Sequence, residues 1–180
     1  MTLQRRKKSD LPLSKLKALF DYNADTGVFT MLVSGGRKAK GSEAGYVNNI
    51  GYRLIWIDGA YYLAHRLAWY YVTGDWPEGE IDHKNRIPSD NRFENLRPCS
   101  RSQNEANSVR NTNTSGYRGV WLVNGRWKAA IKKDGKRTYL GTFSTPEEAS
   151  ENYQAAAARL FGDFAFKPAH QLSILDEDAA

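Results

Sequence analysis

Three dipeptides, Asp58-Gly59, Asn124-Gly125 and Asp134-Gly135, constrain the fold more than any other feature of this 180-residue chain. Each separates two runs rich in aromatic and β-branched residues. Asn-Gly and Asp-Gly suit a two-residue type I′ turn, because both central residues must take positive φ. Tyr52 to Ile57 and Ala60 to Leu63 therefore form one hairpin. Tyr117 to Val123, Arg126 to Lys133 and Lys136 to Phe143 form a three-stranded antiparallel meander. Strands that reverse within two residues are antiparallel, and the helical patterns lie outside these runs, so the expected class is α+β.

The helices have their own signals. Ser9 and Asp10 can cap a helix with Pro12 in its first turn, and Leu13, Leu16, Leu19 and Phe20 repeat at helical spacing to about Asp21. Asp25-Thr26-Gly27 is a turn, Val28 to Val33 a short strand, and 34–45 a Gly- and Lys-rich loop whose Arg37, Lys38 and Lys40 suit either a phosphate backbone or plain exposure. His65 to Val72 is a second helix, ended by Gly74 and Pro77. His65 and Arg66 open it and are second-rank site candidates, since a histidine there more often packs or caps. Thr145-Pro146-Glu147-Glu148 combines an N-cap, a first-turn proline and a capping-box Glu, and starts a helix running to Phe161 and stopping at Gly162.

Alternation assigns the faces of the C-terminal sheet. Val120, Trp127, Ala129, Ile131 and Leu140 pack on the last helix through Ala149, Tyr153, Ala156 and Leu160. Arg118, Arg126, Lys128, Lys132, Arg137 and Tyr139 point away, to a face that either contacts phosphate and bases or is simply solvated. The charge agrees with a polyanionic partner: the net value is +6 with a pI near 9.4, the first eight residues carry four Lys or Arg and no acid, and 111–170 come to +4. No apolar run reaches membrane-spanning length. A single cysteine, Cys99, rules out an internal disulfide and a cysteine-rich zinc site, and the basic N-terminus lacks the apolar stretch of an export signal. The expected location is cytoplasmic.

Residues 81–107 hold the chemistry. Ile81-Asp82-His83 closes an extended run, a loop rich in Asn and Asp follows, and further Asn residues lie on a helix starting after Ser100 or Ser102. Carboxylate and amide oxygens are hard ligands for Mg²⁺ or Mn²⁺, and a neutral imidazole can deprotonate an attacking water near physiological pH. On a strand Asp82 and His83 point to opposite sides, so both can serve one site only if the strand ends or bends there.

Ala64-His65-Arg66-Leu67-Ala68-Trp69, Ile81-Asp82-His83, Ser89 to Arg97 and Gln103-Asn104-Glu105-Ala106-Asn107 closely resemble the HNH homing endonucleases of phages and mobile introns, over roughly residues 13 to 107. The resemblance implies a ββα-metal domain in which His83 activates water, Asn95 braces the fold, and Asp82 and Asn104 hold a divalent metal. The family usually has a glycine soon after the histidine; here Asn85-Arg86-Ile87-Pro88 follows.

Ser115 to Trp121, Gly125 to Ile131, Tyr139 to Phe143 and Glu147-Glu148-Ala149 resemble the ethylene-response-factor type of DNA-binding domain over about 112–166. That family sets its three-stranded sheet in the DNA major groove, and by position Arg118, Gly119, Trp121, Lys132, Arg137 and Tyr139 are implied contacts. The chain has Trp121 where the plant pattern often has Arg, Ala130 for Glu and Tyr139 for Trp, and its first hairpin is shorter.

The expected organisation is a basic arm (1–9), an HNH domain (10–107), a linker (108–115), a sheet-and-helix DNA-binding domain (116–166) and a tail (167–180). The expected function is a site-targeted endonuclease acting on double-stranded DNA as a monomer, with no obligate protein partner and no membrane. The rival is a DNA-binding regulator whose nuclease half is decayed or only a scaffold.

Overall fold

The computed structural model describes residues 11–36, 38–108 and 115–166. The basic arm with its capping Ser9 and Asp10, Arg37, residues 109–114 of the expected linker and the tail from 167 lie outside the described residues. The chain forms two compact units, Met1–Pro98 and Cys99–Ala180, both mixtures of helix and small antiparallel sheets.

In the first unit, α1 (Leu13–Leu19) begins at Pro12, which occupies the N-cap rather than the first turn. The helix stops two residues before the expected end because Phe20 is already extended, with φ −139° and ψ 143°. From there the apolar period changes from helical to two: Phe20 and Tyr22 are buried while Asp21 and Asn23 are exposed, making β1 (Phe20–Asn23). It pairs antiparallel with β2 (Val28–Met31), shorter than the run to Val33 that sequence predicts. The turn is held by Asn23, whose Oδ1 accepts from the N–H groups of Asp25 (3.0 Å) and Thr26 (2.9 Å).

A second sheet comprises β3 (Tyr46–Val47), β4 (Arg53–Ile57) and β5 (Ala60–Leu63), in that order. Asp58 and Gly59 link β4 to β5 with φ of 48° and 84°, both positive as a type I′ turn needs. Ile55, Ile57 and Tyr62 go to the core, and Trp56 and Tyr61 pair on the exposed face. Helix α2 (Ala64–Thr73) follows directly, burying Leu67 and Ala68 fully and ending at Gly74 in the left-handed region. Trp76 then stacks on Tyr70, ring centroids 4.4 Å apart. The unit ends with β6 (Glu80–His83) and β7 (Leu96–Cys99), which pair and enclose the 84–95 loop.

The β1–β2 turn is a brace for that loop. Tyr22 donates its hydroxyl to the Asn91 carbonyl (2.7 Å), and the Phe93 N–H donates to the Ala24 carbonyl (2.9 Å). Gly27 has φ 72°, and a Cβ there would lie 2.4 Å from the backbone nitrogen of Arg92. Only glycine lets the two backbones approach this closely.

In the second unit, α3 (Arg101–Asn107) opens on a capping box in which Ser100 and Gln103 satisfy each other's backbone N–H groups. The meander is β8 (Val120–Val123), β9 (Arg126–Lys133) and β10 (Lys136–Phe143), with β9 central. The Asn124-Gly125 and Asp134-Gly135 turns have positive φ at all four residues. The first strand starts at Val120 rather than Tyr117, because Gly119 at φ 68° interrupts the extended backbone. Helix α4 (Pro146–Phe161) carries the Thr145–Glu148 capping box and ends at Gly162.

Val120, Ala129 and Ala149 form one part of this unit's core, and Ile131 packs with Tyr153, Ala156 and Phe161 in another. Leu160, expected on the buried stripe, is 37 % exposed. Ala106 of α3 shares the core with Ala157 and Phe161, so the last turn of α4 buries the side that meets α3 as well as the sheet. Among the described residues no helix is long and apolar enough to cross a membrane.

Gly27→Ala should destabilise the first unit by about 1–3 kcal/mol, the usual range for overpacking. Chemical denaturation compared with wild type measures it, and a change under about 0.5 kcal/mol, the surface-substitution range, would show that the loop does not need the close approach.

Candidate active site

His83 ends β6 and is 5 % exposed. Three aromatic contacts enclose this region: His65 lies edge-on to His83 with centroids 4.9 Å apart, and Tyr52 lies 5.5 Å from His65 and 6.0 Å from His83. Burial lowers the pKa of His83, partly offset by Asn91, Asp82 and Asp90, and leaves the imidazole neutral at physiological pH. Burial also pushes His65 down to about 3, with His83 and Arg66 adding to the effect.

Asn91 gives the ring its orientation. Its amide nitrogen donates to the Ser89 carbonyl (3.0 Å), so its oxygen is the atom facing His83 Nε2, at 3.5 Å.

The loop that delivers Asn91 is polar and yet ordered. Asn95 donates its amide to Asn85 Oδ1 (3.0 Å) and to the Asp90 carbonyl (2.8 Å), and accepts from the Asn85 N–H (3.0 Å). Asp90 takes a bidentate contact from Arg92, with Nε to Oδ1 at 2.9 Å and Nη2 to Oδ2 at 2.7 Å, and accepts from Asn85 Nδ2 at 2.6 Å. Arg92 is the main reason the Asp90 carboxyl is held down to about 2. Arg86 occupies the tight turn after the histidine at φ 64°, its N–H donating to the His83 carbonyl (2.9 Å). A left-handed conformation costs an L-residue about 1–2 kcal/mol, and here an arginine adopts it.

Asp82 is 4 % exposed, and Arg97 of β7 grips its Oδ2 through Nε and Nη2, each at 2.8 Å. Arg66 works at a different point: its guanidinium donates to the carbonyls of Gly79 (2.7 Å) and Pro77 (2.9 Å), fixing the segment that leads into β6. Asn104 lies on α3, in the second unit. The structure thus brings His83, His65, Asn91 and the Asn95 network together, and places Asp82 beside Arg97. Sequence reasoning missed the roles of Asn91, Asp90, Tyr52 and Arg97. Asn91, Asp90 and Arg97 stood in the motif, but their partners, and the place of Tyr52 against both histidine rings, depend on packing between elements, which carries no local signal.

A carboxylate, as at Asp82, and a carboxamide, as at Asn104, are each oxygen donors of the kind hard divalent cations take. Among the described residues no group of three or more His, Cys, Asp or Glu is placed to hold a metal.

On the C-terminal sheet, register puts Trp121 opposite Lys128 and Arg137 opposite Lys132, with Arg126 and Tyr139 on the same face. Arg126, Lys132, Arg137 and Tyr139 are exposed, Lys128 is half-buried, and the Arg137 guanidinium lies 4.7 Å from the Trp121 ring centre. Two residues expected on this face do other work. Arg118 is half-buried, its guanidinium donating to the carbonyls of Glu105, Ala106 and Ser108. Alternation misplaced it because Arg118 precedes the strand. At Gly119 a Cβ would lie 2.3 Å from the Tyr153 ring, so packing requires glycine there.

Residues 62–106 match the model of the HNH endonuclease family. An uncharacterised HNH endonuclease of Acanthamoeba polyphaga mimivirus is 28 % identical over 121 residues, 67 % of this chain and 64 % of the viral protein. Two plant proteins are similar over shorter stretches. An ethylene-responsive transcription factor-like protein of Arabidopsis thaliana is 43 % identical over 60 residues, 33 % of this chain and 26 % of its own length. Dehydration-responsive element-binding protein 2E of Oryza sativa subsp. japonica is 48 % identical over 56 residues, 28 % of this chain and 17 % of its own length. The chain thus spans less than two thirds of each relative.

The buried imidazoles predict a pH dependence of stability. His65 titrates near 6.5 when unfolded and at about 3 when folded, so its contribution is complete above pH 6.5 and is lost as pH falls towards 3; His83 has the same sign. The urea midpoint should fall between pH 7.5 and about 5, above the range in which Asp90 contributes, and fall less in His65→Gln. Equal slopes in the two proteins would remove His65 as a source.

Proposed function

We propose that this chain is a site-targeted DNA endonuclease of the homing type, which hydrolyses one phosphodiester with His83 as general base and one divalent metal ion, and which nicks as a monomer. The observation that carries the reading is the buried, neutral His83 at the end of β6, with its Nε2 facing Asn91. A neutral imidazole can take a proton from water at pH 7 without first losing its own. Asn95 acts by holding the loop that positions Asn91, and His65 and Tyr52 pack against the His83 ring.

Asp82 and Asn104 are the residues that would hold Mg²⁺ or Mn²⁺. When bound, such an ion neutralises charge growing on the leaving oxygen. Arg97 orients the Asp82 carboxylate towards that task.

Targeting falls to the C-terminal sheet, which we read as the counterpart of the stretches shared with the plant proteins. Arg126, Lys128, Lys132 and Arg137 supply phosphate contacts or base readout, and Trp121 and Tyr139 supply flat apolar surface between them. The charge of 111–170 and the resemblance of 112–166 support this use. One His83 per chain addresses one scissile phosphate, and two different DNA-contacting parts suit an asymmetric target. The proposed division remains an HNH domain over 10–107 and a DNA-binding domain over 116–166, in a cytoplasmic protein. The identities to the two plant proteins favour a second reading, a DNA-binding regulator without cleavage.

Cleavage separates the two. A supercoiled plasmid bearing DNA from around the chain's own gene, incubated with the full chain in Mg²⁺ or Mn²⁺, should give open circles with first-order dependence on protein. His83→Ala should abolish nicking with DNA affinity nearly unchanged. Substantial nicking by that variant would sink the general-base assignment, and linear product formed directly would overturn the monomer. Arg137→Ala should weaken DNA binding by about 1–3 kcal/mol at one position if it reads a base edge. An equal loss on every sequence would mark a phosphate contact instead.

A further inference from the structure

We propose that Arg118 is a positioning residue for the cleavage reaction: its guanidinium holds the C-terminal turn of α3, and through it the carboxamide of Asn104. The inference rests on the reading of Asn104 as a metal-holding residue.

Helix α3 has only seven residues, too few to be stable alone. Its order comes from contacts at each end and along one side. At the N-terminus, Ser100 Oγ accepts from the Gln103 N–H (3.2 Å) and Gln103 Oε1 accepts from the Ser100 N–H (2.8 Å). Along the side, Ser102 Oγ accepts from the Asp134 N–H (3.0 Å) in the β9–β10 turn. On the core side, Ala106 is 6 % exposed and packs with Ile131, Tyr153 and Phe161.

The C-terminal carbonyls are the ones a helix leaves unsatisfied. Arg118 supplies them with donors: Nη1 to Ala106 O at 2.9 Å and Ser108 O at 2.6 Å, and Nη2 to Glu105 O. A guanidinium is suited to this, because its donors are fixed in a plane and its charge complements the negative end of the helix. These acceptors begin at the residue after Asn104, and the Asn104 carbonyl is itself bonded to the Ser108 N–H (3.1 Å). Any rotation or slide of the last turn would therefore carry Asn104 with it.

Arg118 has a rigid base from which to hold. Gly119, next in the chain, is packed against the Tyr153 ring, and its carbonyl accepts from the Ala130 N–H (3.0 Å) on the central strand. The sheet proposed to dock on DNA thus carries the clamp for the helix proposed to carry a metal ligand. Mg²⁺ demands oxygen at about 2.0–2.1 Å in near-ideal geometry, so a small displacement of that helix is enough to matter. The role also accounts for an arginine that resemblance alone would assign to base contact.

The experiment compares the full-length wild type, Arg118→Ala, Arg118→Lys, Asn104→Ala and the Arg118→Ala/Asn104→Ala double variant on a plasmid cut by the wild type. Three quantities are read: Mn²⁺ binding to the protein–DNA complex by electron paramagnetic resonance, kcat and KM for nicking, and the salt dependence of DNA affinity. Arg118→Ala should lower Mn²⁺ affinity or kcat about 10–100-fold, the usual cost of losing a residue that orients a ligand, with DNA affinity and its salt slope unchanged. Arg118→Lys should recover part of the loss, and removing Arg118 in the Asn104→Ala background should cost little more. Weakened DNA binding with unchanged Mn²⁺ affinity would make Arg118 a DNA contact and overturn the proposal. So would an undiminished loss in the Asn104→Ala background. If Arg118→Ala does not fold, Arg118→Lys decides, and Mn²⁺ affinity equal to wild type overturns it. Failure of the nuclease reading looks different: wild type would neither bind Mn²⁺ nor nick, or His83→Ala would nick as well as wild type.

Discussion

The candidate active site depends on one carboxamide. Asn95, 6 % exposed, ties Asn85 and Asp90 together and so closes the 84–95 loop on itself. A loop this rich in polar groups would ordinarily lie in water, where nothing would hold it in one shape. Here Asn91 and Asn95 are buried, and buried polar groups must find partners or cost roughly 1–3 kcal/mol each. The network satisfies them mutually, and Asp90 with its bidentate Arg92 supplies the charged anchor at its rim. From outside, the β1–β2 turn presses on the same loop through Tyr22, Ala24 and Gly27. Loop order is therefore a product of the whole first unit, and the orientation of His83 follows from it.

Burial has a chemical consequence beyond packing. Burying two imidazoles edge to face beside Tyr52 makes a positive charge on either one costly, so both stay neutral where an exposed histidine would be partly protonated. Neutral His83 is the form a general base requires. Such a ring would be unstable in orientation without a polar partner, and Asn91 is that partner. Asp82, one residue earlier, is held by Arg97. The strand ends at His83, and the tight turn at Arg86 takes the chain away.

In the second unit basic residues divide into two kinds. Arg126, Lys132 and Arg137 project from the sheet and are available to a polyanion, whereas Arg118 and Lys133 spend their charge on helix ends, Lys133 Nζ donating to the Leu160 carbonyl at 3.1 Å. The two kinds are chemically alike in sequence. What separates them is whether a helix C-terminus lies within reach, a matter of packing and not of composition.

The sequence by itself determined the elements whose cause is local. Paired positive φ at Asp58-Gly59, Asn124-Gly125 and Asp134-Gly135 demands those hairpins, and the Thr145–Glu148 box and Gly162 bound α4 because capping involves neighbours within four residues. The importance of the 81–107 stretch was legible for the same reason, its residue types and order being visible without the fold. Tertiary structure alone decided where α1 gives way to β1, because Phe20 fits both a helical stripe and a strand and only its packing against Phe29 chooses. It also decided that Asn91 faces His83, that Arg97 holds Asp82, and that Arg118 turns to α3 rather than to solvent. Those contacts join residues that are 8, 15 and 12 positions apart, and side-chain direction at such separations is set by the register and packing of other elements.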